Sequence, residues 1–262
     1  MEPTNEVNQQ SPRRRGIYLL PNLFTTAALF AGFYSIVAAM NDHFEQSAVA
    51  IFVAMLLDGV DGRVARLTNT QTEFGAEYDS LADMVSFGLA PALVMYEWAL
   101  SSLGEYGWQM GKLGWLAAFI YAVCAALRLA RFNTQVGLSD KRFFQGLPSP
   151  SAAAVVTGMI WVCFDAGIPG KDVAILAFFL TISAGLLMVS NISYYSFKDI
   201  DFKNKVPFFA IFIAVLVLVL LAIDPPKMLF AVFFIYAMSG PMMSLVRRYK
   251  KGGFSLRRKS QG

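Results

Sequence analysis

The sequence predicts an all-α fold, a polytopic membrane bundle of about eight transmembrane helices. Three observations predict it. Of the 262 residues, 56% are hydrophobic and only 15% are charged, where soluble domains carry about one-quarter charged residues. The apolar residues fall in windows of about 20, the length that crosses a hydrocarbon core of about 30 Å. The basic residues gather in alternate connections between those windows, the pattern that orients membrane spans.

Taken in order, residues 1–16 form a polar basic tail, 17–249 the membrane domain and 250–262 a second basic tail. The windows are expected near 19–40, 46–66, 74–99, 113–133, 150–165, 172–190, 207–223 and 228–246. Pro21 suits the start of the first helix. The apolar run after Arg13 to Arg15 is too long for a cleaved signal and is followed by further spans, so it is expected to stay in the membrane. Pro91 predicts a kink in the third span. Cys124 and Cys163 lie inside apolar windows and act as small hydrophobes, with no disulfide framework or zinc site. The single histidine, His43, falls in a short connection beside Asp42 and Glu45, which argues against histidine catalysis.

With eight spans both ends lie on one side. That side receives Arg13 to Arg15, Arg63, Arg66, Arg128, Arg131, Lys141, Arg142, Lys198, Lys203, Lys205 and the basic residues from Arg247 to Lys259, leaving only Lys112, Lys171 and Lys227 opposite. The positive-inside rule places the basic side in the cytoplasm. The net charge of +4 serves topology and contact with anionic bilayer lipids, and requires no nucleic acid.

Within this apolar chain, the stretch from Asp58 to Asp83 holds four aspartates. Asp58 and Asp61 are three residues apart, and Asp79 and Asp83 four apart, so each pair shares a helical face. A polar link through Thr68, Asn69, Thr70, Gln71 and Thr72 lets the second helix fold back on the first, and the four carboxylates then face one another. Each membrane-embedded Asp costs about 2.5–3.5 kcal/mol on insertion scales. One way to offset this is ion pairing with Arg63, Arg66, Arg128 and Arg131. The other is a divalent metal: all-carboxylate ligands suit a hard ion such as Mg²⁺ or Mn²⁺. Gly62 and Ala65 share the aspartate side of their helix, and Gly75 precedes Asp79 by four residues. Small residues there leave room for a substrate and also permit close helix packing. Arg128 and Arg131, three apart at the end of the fourth span, either snorkel to the interface or bind a planar anion bidentately.

The spacing Asp-x-x-Asp-Gly-x-x-Ala-Arg, eight residues, then Gly-x-x-x-Asp-x-x-x-Asp, met by Asp58 through Asp83, resembles the signature of the CDP-alcohol phosphotransferases. The stretches Ser80-Leu81-Ala82-Asp83 with Val85-Ser86-Phe87-Gly88, Ala130-Arg131-Phe132-Asn133 and Gly146-Leu147-Pro148-Ser149-Pro150 are similar to the phosphatidylserine synthase branch. The resemblance implies an integral membrane enzyme, commonly a homodimer, that moves phosphatidyl from CDP-diacylglycerol to L-serine. It implies metal on Asp58, Asp61, Asp79 and Asp83, with Asp83 as the base. It further implies CDP-diacylglycerol contacts from Asn22, Thr25, Gly62, Ala65, Arg66, Thr72 and Gly75, while Arg128, Arg131 and Ser149 are candidates for phosphate or the serine carboxylate. The expected location is a bacterial cytoplasmic membrane, with the site facing the cytoplasm. Two alternatives stay open at this point: another acceptor (glycerol 3-phosphate, inositol phosphate or choline), or a cation transporter using the aspartates as a transit site.

Overall fold

The structure, a computed structural model, describes residues 19–68, 72–134, 143–195, 216 and 219–259, and the side chains among them except at 19–21, 65–66, 143–144, 195 and 247–259. The described residues are helical almost throughout. In order, α1 spans Leu19–Ala39, α2 Phe44–Thr68, α3 Glu73–Asp83, α4 Ala90–Trp98, α5 Trp108–Thr134, α6 Ser149–Asp165, α7 Ala174–Val189 and α8 Pro225–Lys259. A π-helical segment, Met84–Leu89, joins α3 to α4, and 3₁₀ turns at Leu100–Tyr106 and Gly170–Val173 precede α5 and α7. Among the described residues, five helical stretches are long and apolar enough to cross a membrane: Asn22–Ala39, Glu73–Tyr106, Trp108–Thr134, Gly170–Val189 and Pro225–Val246. The shorter apolar helix Ser149–Asp165 adds to these. Helix α2 fills the second expected window although its charged second half lowers its hydropathy. The window at 207–223 lies largely outside the described residues.

Helices α1 and α2 form an antiparallel hairpin around a turn in which Asp42 takes a left-handed φ of 61°. Ala31, Ala38 and Ala39 of α1 and Ala48 and Ala54 of α2 are all buried, small side chains of the kind that let two backbones approach. Ser35 and Ser47 are buried at this contact, yet neither hydroxyl is orphaned. Ser35 Oγ donates to the Ser47 carbonyl at 2.9 Å and Ser47 Oγ to the Ser35 carbonyl at 2.8 Å. Reciprocal bonding of this kind removes the penalty of placing a hydroxyl in an apolar layer.

The expected kink at Pro91 takes a specific form. Pro91 lies at the start of α4 and offers no N–H to the Phe87 carbonyl four residues before it. The preceding turn widens to π geometry, with the Ala90 N–H reaching the Val85 carbonyl. Tyr121 Oη, fully buried on α5, donates to the Phe87 carbonyl at 3.1 Å. The π turn also brings Ser86 against α1, where its hydroxyl donates to the Ala28 carbonyl at 3.1 Å. A Cβ at Gly32 would lie 2.5 Å from Ser86 Oγ and 2.7 Å from Ser86 Cα, so only glycine fits there.

One element departs from the expectation of helices alone. Phe143–Gln145 (β1) pairs antiparallel with Ser193–Tyr195 (β2), Phe144 opposite Tyr194. Three-residue strands are too short to show an alternating pattern, so the sequence carries no signal for them. Tyr194 is fully buried and its hydroxyl donates to the Ala237 carbonyl of α8 at 2.9 Å, which ties the ribbon to the last helix. The 35 residues of α8 measure roughly 52 Å at 1.5 Å per residue, well beyond a hydrocarbon core of about 30 Å. The helix therefore continues unbroken through the boundary expected at 249/250.

Candidate active site

Carboxylates of α2 and α3 converge on one another. Carboxylate oxygens of Asp58, Asp61 and Asp79 lie within 4.8 Å of one another. Asp83, one turn beyond Asp79, faces Asp58 within hydrogen-bonding reach. Asp61 is buried at 4% exposure, while Asp58, Asp79 and Asp83 are partly exposed. At such separations each pair of ionised carboxylates repels by at least about 3 kcal/mol at an effective dielectric of about 20. Among the described residues no arginine forms an ion pair with any of the four, and the salt bridge found there, Lys227 to Asp224, is elsewhere. Ion pairing with Arg63, Arg128 or Arg131 is therefore not what compensates these carboxylates; the side chain of Arg66 lies outside the described residues. The donor set is all hard oxygen with an open side, which fits a divalent metal and not zinc's usual thiolate and imidazole ligands.

Helix α1 supplies the supporting shell. Thr25 Oγ1 donates to Asp61 Oδ2 at 2.9 Å, both groups buried, and so fixes which oxygens of Asp61 remain for a ligand. Thr26 Oγ1 bonds Tyr78 Oη at 2.9 Å. On the other side Asn133 Nδ2 of α5 donates to Ser80 Oγ at 3.0 Å. Tyr78 and Ser80 flank Asp79, so α3 is held to α1 and α5 by the residues immediately before and after a ligand. Sequence reading missed both residues; the available signal was that they are polar and adjacent to a motif aspartate within an apolar span.

The expected nucleotide contacts are partly assembled. Thr72 caps α3, its Oγ1 accepting the Gly75 N–H at 3.0 Å. Asn22 Oδ1 lies beside Gly75, 3.4 Å from where a Cβ would sit. Asn22, Thr72 and Gly75 thus lie together at the N-terminus of α3, a place suited to anions. Gly62 lies one residue from Asp61 and is partly exposed. The side chains of Ala65 and Arg66 lie outside the described residues.

The two arginines of α5 part company. Arg128 is buried at 9% exposure and its Nη1 donates to Ser149 Oγ, at the start of α6, at 2.9 Å. Its Nε has no partner among the described residues, and the side chain lies on the Asp83 side of the cluster without pairing with it. An orphaned, buried guanidinium N–H is costly and fits a site that accepts an anionic group. Arg131 instead turns to backbone carbonyls at the end of α7 and in β1. Helix packing brings the α7 carbonyls within reach of Arg131, while Arg128 meets Ser149.

A family model for CDP-alcohol phosphatidyltransferase matches residues 18–189, a span that contains the carboxylate cluster, its α1 supports and the Arg128–Ser149 pair. The chain belongs to the CDP-alcohol phosphatidyltransferase family. It is also similar to proteins named CDP-diacylglycerol–serine O-phosphatidyltransferase. The relative from Helicobacter pylori is 37% identical over 220 residues, covering 83% of this chain and 86% of the relative. That from Methanocaldococcus jannaschii is 35% identical over 190 residues, 72% and 80% of the two chains. A Saccharomyces cerevisiae relative matches 146 residues at 38% identity, half of each chain. The Helicobacter match is longer than the family span itself, so similarity extends beyond residues 18–189.

Proposed function

We propose that this transferase moves phosphatidyl from CDP-diacylglycerol to L-serine, giving phosphatidylserine and CMP. The observation that carries the reading is the convergence of Asp58, Asp61 and Asp79 within 4.8 Å, beside a buried Arg128 with an unpartnered Nε. A carboxylate cluster suited to a metal and a guanidinium suited to a carboxylate are the two recognition elements that such a donor and acceptor require.

In the reaction, the serine hydroxyl oxygen forms a bond to the phosphatidyl phosphorus of the donor, and the pyrophosphate P–O bond breaks. The electron pair leaves on CMP. Asp83 takes the hydroxyl proton, a role that its position next to Asp58 but outside the three-carboxylate group supports. Asp58, Asp61 and Asp79 would hold the divalent ion, with Asp83 at its edge; when bound, Mg²⁺ or Mn²⁺ supplies charge neutralisation for the pyrophosphate. By the family resemblance Asn22, Thr25, Gly62, Ala65, Arg66, Thr72 and Gly75 are assigned to the CDP portion of the donor, with Thr25 acting through Asp61. Arg128 and Ser149 receive the serine carboxylate. The site faces the cytoplasm of a bacterial membrane, where a nucleotide-linked donor meets the lipid headgroup layer, and the enzyme works as a homodimer, which cross-linking in native membranes tests.

The deciding assay measures CMP release by the purified protein with CDP-diacylglycerol and, in turn, serine, glycerol 3-phosphate, inositol phosphate and choline, with Mg²⁺, Mn²⁺ or a chelator. Serine-dependent release abolished by the chelator is expected. Release with another alcohol but not serine would overturn the acceptor, and metal flux without CMP release would overturn the enzymatic reading.

A further inference from the structure

We infer that Arg131 is a positioning residue, which brackets the segment from Gln145 to Ser149 so that Ser149 meets Arg128, and is not itself a ligand of the acceptor. The inference rests on the assignment of Arg128 and Ser149 to the acceptor. Arg131 Nη1 donates to the Val189 carbonyl at 3.1 Å and to Asn191 Oδ1 at 3.3 Å. Its Nη2 donates to the carbonyls of Gln145 at 3.2 Å, Met188 at 3.3 Å and Ser190 at 3.4 Å. Every acceptor is a neutral carbonyl oxygen, and Met188 and Val189 belong to the last turn of α7, whose carbonyls have no partner within the helix. A guanidinium there satisfies those groups and complements the negative end of the helix dipole. With both terminal nitrogens committed, little donor capacity is left for an anion.

The backbone around Gly146 is built to this guanidinium. Gly146 has φ +78°, and a Cβ there would lie 2.1 Å from the Met188 carbonyl oxygen and 3.0 Å from Arg131 Nη2. Its N–H donates to the Ile192 carbonyl at 2.8 Å, and the Leu147 N–H to the Leu187 carbonyl at 2.9 Å. Leu147 is fully buried, and only Pro148 separates it from Ser149. The segment is therefore held at one end by Arg131 and at the other by Arg128 through Ser149 Oγ. Because the arginines are three residues apart on α5, one helix face sets both anchor points.

A planar fork reaches carbonyls of β1 and α7 together; an ammonium is a point charge that does not. The test is a cycle of Arg131→Lys, Arg131→Ala, Ser149→Ala and Arg131→Ala/Ser149→Ala in the full-length protein, read as apparent KM for serine and for CDP-diacylglycerol. Misplacing a binding group from a distance costs up to about 10²-fold, so both Arg131 variants are expected to raise the serine KM by about tenfold or more with the donor KM near its starting value. The Arg131→Ala loss should shrink in the Ser149→Ala background, because coupled residues are non-additive. Arg131→Lys with a normal serine KM would overturn the bracket, since charge alone would suffice. Full additivity, or equal loss for both substrates, would also overturn it. If Arg131→Ala does not fold, as judged by donor binding, Arg131→Lys completes the same cycle with Ser149→Ala. Arg128→Ala is the separate arm: an unchanged serine KM there removes the acceptor assignment, while coupling between Arg131 and Ser149 still reports the bracket.

Discussion

Asp61 is sealed at 4% exposure with Thr25 donating to it, whereas Asp58, Asp79 and Asp83 keep a partly exposed edge. The hydroxyl of Thr25 orients one ligand without being a ligand, and such supporting bonds typically govern about 10–100-fold in metal affinity. Thr25→Val, nearly the same size, is therefore expected to raise the metal concentration for half-maximal CMP release by about tenfold or more. A metal titration checks this, and an unchanged midpoint would restrict Thr25 to packing. The four carboxylates should also fail differently as amides. Asp58→Asn and Asp79→Asn each remove charge from the group that neutralises the donor pyrophosphate, so metal-dependent donor binding and turnover both fall. Asp83→Asn is expected to keep donor binding while turnover drops about 10²–10⁴-fold, the usual cost of losing a general base. Measuring affinity and turnover on the three variants at one metal concentration separates the roles; near-normal turnover in Asp83→Asn would remove the base assignment.

At the scale of elements, the π turn Met84–Leu89 relates the aspartate helix α3 to the buried helix α4. It presses Ser86 onto α1 at Gly32, so the helix carrying Thr25 and the helix carrying Asp79 are indexed against each other by one close contact. Gly32→Ala should lower stability by about 1–3 kcal/mol, the usual cost of overpacking, seen as a lower melting temperature in detergent. Adding Ser86→Gly is expected to recover little, because Ser86 Cα would still lie 2.7 Å from the new carbon; full recovery would show that only the Ser86 side chain is crowded. Tyr121→Phe leaves the Phe87 carbonyl without its side-chain donor and should cost about 1–3 kcal/mol. The sequence announced a break at Pro91 but not its form, since whether a proline bends, ends or widens a helix depends on what the neighbouring helix offers the freed carbonyl.

For the whole molecule, the eight spans expected from the sequence would put the link between α2 and α3 on the basic side and the start of α5 opposite. A cysteine at Gln71, in the link, should react with an impermeant reagent only from the cytoplasmic side, and one at exposed Gln109 only from the other; the reverse labelling would invert the topology. What the sequence by itself determined is the membrane class, the positions of the helices it shares with the structure, and the carboxylate chemistry of Asp58, Asp61 and Asp79. Hydropathy windows and the spacing of aspartates along one helix are local properties, written over a few turns of chain. What only the tertiary structure decided is which polar groups are spent on holding the site. Thr25 meets Asp61 across 36 residues and Arg131 meets the α7 carbonyls across 57 and 58. Arg128 and Arg131 look alike in sequence, three residues apart on one helix. They diverge because packing brings a serine hydroxyl to the first and a bare helix end to the second, and no periodicity along the chain encodes which partner a neighbouring helix will present.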